Sequence, residues 1–246
     1  MTISWAEFSG YFLSAFAVGL TKTSFGTGVG IVLTPLLSIY LPPRFVLAIL
    51  APMMIIGDFA VAYFLWKKWD GKFFWVMFPA MAAGVVLGAL LVSRLSNQQA
   101  RIAIGVLVLI FAGYQLLAMI RKSELIYVPP KKGVGSVMGF FSGFSSSAAH
   151  AGGAISVPYF VASGLSKEGI VATNFALFAV SNWVKLGSYV SVGMVDWEII
   201  LWTLYMLPVA VLGGFAGRWV NRTVSRETFN RVALILALGG AIKLFF

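Results

Sequence analysis

The sequence predicts an all-α polytopic membrane protein made of two inverted repeats, each a re-entrant or broken helical hairpin plus three transmembrane helices. Three observations lead to this fold class. The 246 residues are 60% hydrophobic and only 11% charged, whereas soluble domains carry roughly 25% charged residues. Several apolar runs reach the ~20 residues needed to cross a bilayer. A pattern of glycine, proline and polar residues also occurs twice along the chain.

Six of the predicted elements are single apolar spans. Tryptophans lie near the ends of several of these spans, as is typical of the membrane interface. The spans are 44–66, 73–93, 102–120, 168–191, 197–217 and 228–246.

Two further segments, 5–41 and 134–164, are each longer than one crossing and are interrupted midway. The interruptions read TSFGTGVGIVLTP at 23–35 and SSAAHAGGAISVP at 146–158. Glycines permit a sharp reversal and a close backbone approach. We therefore expect a helix to enter over about 5–22 and a shorter one to return over about 29–41, with a similar hairpin in the second segment.

The second half of the chain repeats the first. The matched positions, at an offset of 123 and later of 129, are Ser24 with Ser147, Gly30 with Gly153, Pro35 with Pro158, Pro79 with Pro208, Gly84 with Gly213, Gly88 with Gly217, and Ser96 with Ser225. Glycine and proline carry weight because they constrain the backbone. A first repeat over 1–122, a cytoplasmic linker over 123–133 and a second repeat over 134–246 are predicted within one integral-membrane domain.

The distribution of basic residues distinguishes hairpins from broken crossing helices. If both interrupted segments cross, eight basic residues fall on each side; if both are hairpins, the division is twelve against four. The twelve are Lys67, Lys68, Lys72, Arg121, Lys122, Lys131, Lys132, Lys167, Arg218, Arg222, Arg226 and Arg231, and the four are Arg44, Arg94, Arg101 and Lys243. Because cytoplasmic loops carry the excess of lysine and arginine, hairpins are favoured, with both termini outside the cytoplasmic (inner) membrane.

Composition excludes several other classes of protein. The net charge of +10 is explained by cytoplasmic loops, so no nucleic-acid partner is inferred. With no cysteine and one histidine, neither a metal site nor a cofactor is expected. The start, MTISWAEFSG, lacks a basic region and cleavage site, so no removable signal peptide is predicted. The expected partners are the lipid bilayer and a small anion; a homodimer is left open.

The anion is expected because each returning half-helix begins at a hairpin tip. Free N–H groups and the positive end of the helix dipole then point inward from opposite faces, and discontinuous helices of this kind bind anions in transporters. The candidate binding residues at the tips are Lys22, Thr23, Ser24, Gly28, Gly30, Ser146, Ser147, His150, Gly152 and Gly153.

Span 168–191 adds a polar helical face. Asn174, Ser181, Lys185 and Ser188 share this face, with Asn182 at its edge. Asn174 and Lys185 are candidate binding residues. On the equivalent span 44–66, Asp58 matches Ser181 and needs a partner or a proton.

Each candidate also has a structural alternative. Either lysine can extend toward an interface, and the hydroxyls can bond their own or a neighbouring backbone. Asp58 can pair with Lys22 or Lys185, and His150 can hold its tip through a backbone bond. Otherwise Asp58 and His150 are the candidates for proton coupling.

The sequence resembles the sulfite exporter TauE/SafE family of membrane anion transporters. The resemblance rests on FGTGVGIVLTPLL at 25–37, GFFSGFSSSAAHAGGAISVP at 139–158, ATN at 172–174 and GMVDW at 193–197. It implies export of sulfite, sulfoacetate or a related organosulfonate by a secondary transporter that is not an enzyme. The family's usual GxGGG is GTGVG here (26–30), and the second copy has HAGG (150–153).

Two other functions are weighed against transport. A passive anion channel would use the same site but show no counterflow. An intramembrane serine hydrolase would use Ser146 or Ser147 with His150, only three or four residues away. The sequence does not identify the anion or the coupling ion.

Overall fold

The computed structural model describes residues 3–25, 29–65, 67–121 and 132–246. Within these ranges every regular element is an α-helix, as predicted. The helices are α1 (Trp5–Phe25), α2 (Val29–Leu37), α3 (Pro43–Leu65), α4 (Gly71–Arg94), α5 (Asn97–Arg121), α6 (Lys132–Ala149), α7 (Gly153–Ala162), α8 (Lys167–Ser191), α9 (Trp197–Tyr205), α10 (Leu207–Thr223) and α11 (Arg226–Lys243).

The six predicted spans fall mainly on helices. The exceptions are Met206 within 197–217 and residues 244–246 after the end of α11, and residue 66 lies outside the described residues. By length and hydropathy, three of the described helices can cross a membrane: α4, α5 over Asn97–Leu117, and α8. The bent pair α9 and α10 makes a fourth if it counts as one span. The fold is therefore that of a polytopic helical membrane protein.

The span predicted over 197–217 is broken. α9 and α10 are separated by Met206, and the pair is bent by 49°. Pro208 lies in the first turn of α10, and proline has no N–H to donate to the carbonyl four residues earlier. The Met206 N–H closes the end of α9 by donating to the Trp202 carbonyl, 3.1 Å away.

Both interrupted segments fold back on themselves. A Cβ built on Gly10 of α1 would lie 2.5 Å from Leu41 Cδ1, just beyond α2. A Cβ on Gly135 of α6 would lie 3.0 Å from the Tyr159 hydroxyl on α7. The chain after each tip thus packs beside the start of the helix before it, which confirms the helical hairpins. Residues 26–28 of the first tip lie outside the described residues.

Each hairpin packs closely against a helix of the other half. A Cβ on Gly213 of α10 would overlap the Phe16 carbonyl of α1, and one on Gly84 of α4 would overlap the Phe140 carbonyl of α6. Gly217 approaches Leu20 in the same way. Small residues allow helix backbones to approach closely in membranes. The matched glycines of the two halves therefore make equivalent contacts.

α3 and α8 lie in contact with each other between these two assemblies. Residues 46–51 of α3 are at most 1% exposed. A continuous apolar run of this kind indicates a helix surrounded by protein. The polar side chains in the middle of the two helices are also buried, namely Asp58, Asn174, Ser181, Asn182 and Lys185.

Candidate functional site

Five buried side chains from four parts of the chain form one hydrogen-bonded series, which we call the buried polar chain. Lys22 of α1 forms an ion pair with Asp58 Oδ1 of α3. Asn182 Nδ2 of α8 donates to Asp58 Oδ2 at 2.7 Å. Lys185 Nζ lies 3.2 Å from Asn182 Oδ1 and 3.3 Å from Nδ1 of His150, which sits between α6 and α7.

The buried polar chain is shielded from solvent. None of its residues is more than 9% exposed, and Lys185 is only 1% exposed. Buried charges are costly unless they are paired and hydrogen-bonded. Lys22 meets this requirement through Asp58. Lys185 contacts two neutral groups instead, and it belongs to none of the ion pairs among the described residues.

His150 is held in place by its backbone and by both ring nitrogens. Its φ of 50° places it in the left-handed region, which few residues other than glycine adopt. An ammonium group only donates, so the Nδ1 that faces Lys185 must be the acceptor. Nε2 then carries the hydrogen and donates to the Leu47 carbonyl of α3, 3.3 Å away. The ring is therefore neutral in this arrangement.

The first turn of α2 lies directly against His150. A Cβ on Gly30 would overlap both the Cβ of His150 and, at 2.6 Å, its carbonyl oxygen. Only a glycine fits this contact without a shift of the backbone. The N-terminal turn of α2 and the bend that precedes α7 thus meet at His150.

The N-terminus of α7 has no side-chain cap. Its N-cap residue is Gly152, and a Cβ on the next residue, Gly153, would meet no atom within 4 Å. The Ala154 and Ile155 N–H groups of this turn donate to the Ala151 and Gly152 carbonyls, at 3.0 and 3.1 Å. This turn therefore offers open space at the positive end of the α7 helix dipole.

Asn174, another predicted binding residue, connects α8 to α7. The Ser156 hydroxyl donates to Asn174 Oδ1 at 2.6 Å. The Ser142 hydroxyl of α6 donates at 2.9 Å to the Gly152 carbonyl, which fixes the bend against its own hairpin. Asn174 thus holds α7 in position.

The structure directs Thr23 and Ser24 away from the buried polar chain. The Thr23 hydroxyl lies 2.9 Å from the Gly214 carbonyl, and the Ser24 hydroxyl lies 2.9 Å from the Gly217 carbonyl. Asn221 donates in return to the Ser24 carbonyl. These contacts join α1 to α10. Gly28, a further predicted binding residue, lies outside the described residues.

The two predicted tip serines also bond backbone groups. The Ser147 hydroxyl donates to the Val85 carbonyl of α4 at 2.8 Å, and its own carbonyl accepts from the Tyr189 hydroxyl at 2.6 Å. The buried Ser146 accepts at its carbonyl from the His150 N–H at 3.1 Å. Among the described hydrogen bonds, no serine hydroxyl pairs with the His150 ring, which a serine hydrolase would require.

Asn182 is the central residue that the sequence placed only at the edge of the polar face and not among the candidate binding residues. The predicted polar face of α8 is buried at Asn174, Ser181 and Lys185, and Asn182 is 3% exposed at its edge. The sequence did contain one indication of this contact, because residues three apart on a helix, such as Asn182 and Lys185, are neighbours. Its second partner, Asp58, comes from another helix, and no spacing within α8 indicates it.

The helices are apolar, and the buried polar chain lies between the two hairpins. These features define the class of protein as an integral membrane protein with a polar centre. The family model "Sulfite exporter TauE/SafE" matches residues 11–244, and the chain belongs to this family. The resemblance seen in the sequence is thereby confirmed, and the family is one of membrane transporters of sulfur anions. Searches of curated proteins and of solved structures gave no significant match.

Proposed function

We propose that this protein is a secondary transporter that exports a small sulfur-containing anion across the cytoplasmic membrane. The cargo is sulfite, sulfoacetate or a related organosulfonate. The anion binds near the membrane midplane between the two hairpin tips, and alternating access exposes it to each side in turn. Family membership supports the sulfur anion, and the buried polar chain supports the location.

The observation that carries this proposal is the environment of Lys185. Lys185 is 1% exposed, and its side-chain partners, Asn182 Oδ1 and His150 Nδ1, are both neutral. One turn earlier on the same face, the buried Ser181 hydroxyl has no hydrogen-bond partner among the described residues. A buried cation that lacks a carboxylate gains most from a bound anion.

The surrounding groups suit an oxyanion. Sulfite and sulfonates present three oxygens, each of which accepts charge-assisted hydrogen bonds. Lys185 supplies positive charge, and the N-terminus of α7 supplies the positive end of its helix dipole next to the open space at Gly153. We assign Lys185, His150, Gly152 and Gly153 to the anion, with Gly30 closing the site from α2.

We assign proton coupling to Asp58. Its carboxylate neutralises Lys22 in this structure. A proton taken up by Asp58 breaks that ion pair and leaves Lys22 as a second cation for the anion. His150 bridges Lys185 and α3, so it is the second candidate for carrying a proton.

Movement follows from the duplicated architecture. The α1–α2 hairpin with α10 and the α6–α7 hairpin with α4 form two equivalent assemblies. In transporters with inverted repeats, one such bundle moves against the other around a shared site. The twelve-to-four distribution of basic residues supports both termini lying outside.

Thermal stability of the detergent-purified protein tests the site. Sulfite and sulfoacetate are compared with taurine, sulfate, chloride and sodium, because a ligand at 100 times its Kd stabilises by about 2.7 kcal/mol. We expect one sulfur anion to raise Tm in the wild type and in Lys72→Met, an exposed control, but not in Lys185→Met. If only a cation stabilises the protein, or if Lys185→Met responds like the wild type, the proposed site is wrong.

A further inference from the structure

Asn182 contacts both charged parts of the buried polar chain through opposite ends of one amide. Its Nδ2 donates to Asp58 Oδ2 at 2.7 Å, and its Oδ1 accepts from Lys185 Nζ at 3.2 Å. We propose that Asn182 is a positioning residue whose amide transmits the ionisation state of Asp58 to the anion site at Lys185. This inference rests on the proposed function and adds a coupling element to it.

The chemistry of the two partners fixes the amide. An ionised carboxylate only accepts hydrogen bonds and an ammonium group only donates them, whereas an amide has one accepting and one donating end. While Asp58 is ionised, only one orientation of the amide satisfies both partners. That orientation gives Lys185 an acceptor, which competes with any anion for the ammonium group.

A proton on Asp58 reverses the preference. The proton comes from water and stays on the carboxyl group, which then has an O–H to donate. Lys22 Nζ and Asn182 Nδ2, which face the two carboxylate oxygens, are both donors, so this O–H has no acceptor there. The amide supplies one by turning over to present Oδ1, which directs Nδ2 toward Lys185. The ammonium group loses its acceptor, and an oxygen of the anion replaces it. Protonation of Asp58 therefore strengthens anion binding at Lys185.

Two lysines and one titratable ring lie around Asp58. Lys22 faces it from α1, Lys185 lies beyond Asn182 on α8, and His150 lies beyond Lys185. Other charged residues on the helices packed against α3 are at or near the ends of those helices, and α2 has none. These are Glu7, Arg101, Arg121, Lys132, Lys167, Glu168 and Glu198.

A double-mutant cycle on sulfite affinity tests the transmission. Asp58→Asn reproduces the neutral carboxyl group, since its amide both donates and accepts. We expect this change to lower the sulfite Kd by about fivefold or more in the wild-type background, within the usual range of coupling between sites. In the Asn182→Leu background Lys22 is still released but the amide is gone, so the same change should lower Kd by a factor at least about threefold smaller. Equal effects in both backgrounds, or no effect in the wild type, overturn the proposal.

Two controls separate this result from a failure of folding or of the proposed function. Asn182→Ala replaces Asn182→Leu if the latter does not elute as a single species, because both variants remove the amide. Lys185→Met is measured alongside. If it still binds sulfite like the wild type, the proposed site itself fails. If it loses binding while the cycle is additive, the anion site stands and only the role of Asn182 is refuted.

Discussion

Lys22 and Lys185 are both buried lysines, yet they differ in what neutralises them. Lys22 shares an ion pair with Asp58, whereas Lys185 faces an amide oxygen and an imidazole nitrogen. The sequence placed both lysines in the site but left open which of them pairs with Asp58. That choice depends on how α1, α3 and α8 meet, because side chains on different helices have no fixed spacing in sequence.

The ion pair predicts a specific pattern of stability. Lys22→Met leaves the Asp58 carboxylate buried and unpaired, which costs about 3–5 kcal/mol when one partner of a buried pair is removed. Lys22→Met/Asp58→Asn removes both charges and should recover most of that loss. Thermal unfolding in detergent measures both variants. If the double variant is as unstable as Lys22→Met, Lys22 and Asp58 do not neutralise each other in the folded protein.

The roles of serine and threonine residues were the hardest to predict from the sequence. Thr23 and Ser24 occur in a polar tip, but their hydroxyls lie 2.9 Å from carbonyls of α10. Serine and threonine in membrane helices have both backbone and cross-helix partners within reach. Residue type alone therefore does not distinguish a ligand contact from a packing contact.

At the scale of elements, the sequence predicted the helices better than their continuity. Six spans and two hairpins follow from hydropathy and glycine placement, and each consists mainly of helix in the described residues. The sequence did not predict the break at Met206, although Pro208 was one of the matched prolines of the repeat. Its counterpart Pro79 lies inside the unbroken α4, so a proline alone did not predict the bend.

The close approach of α10 to α1 makes position 213 sensitive to substitution. A Cβ at Gly213 would overlap the Phe16 carbonyl, a backbone atom that has no rotamer to change. We expect Gly213→Ala to destabilise the protein by about 1–3 kcal/mol through overpacking. Unfolding in detergent measures the loss.

Gly187→Ala provides the matched control. Gly187 also lies in a helix, but a Cβ there would meet nothing within 4 Å. Alanine exceeds glycine in helix propensity by about 1 kcal/mol, so this variant should be as stable as the wild type or more so. Equal destabilisation by both alanines would mean that the contact between α1 and α10 is not tight.

At the scale of the whole molecule, the sequence revealed the duplication because matched glycines occupy equivalent contacts. Gly84 and Gly213 each approach a carbonyl of the opposite half, at Phe140 and Phe16. Matching polar residues were less informative, since the buried polar chain is not symmetric. Asp58 matches Ser181, so one half supplies the carboxylate and the other supplies an unpartnered hydroxyl.

Membrane topology remains a prediction that two introduced cysteines can test. The chain has no native cysteine, and two exposed residues, Gln98 in the first turn of α5 and Thr223 at the end of α10, lie beside equivalent connections of the two halves. The hairpin topology puts Gln98 outside and Thr223 in the cytoplasm, whereas broken crossing helices put both on one side. We expect a membrane-impermeant maleimide to label Gln98→Cys in intact cells and Thr223→Cys only after permeabilisation. Labelling of both, or of neither, in intact cells contradicts the hairpin topology.

The most direct test of the central claim is sulfite counterflow in proteoliposomes. Wild-type protein and the Lys72→Met control should exchange labelled sulfite or sulfoacetate against an internal load, which a passive channel does not do. Lys185→Met should be slower by about 10- to 100-fold, because a hydrogen bond to a charged group contributes about 1.5–3 kcal/mol. Undiminished counterflow in Lys185→Met, or none in the wild type with any sulfur anion, would contradict the account.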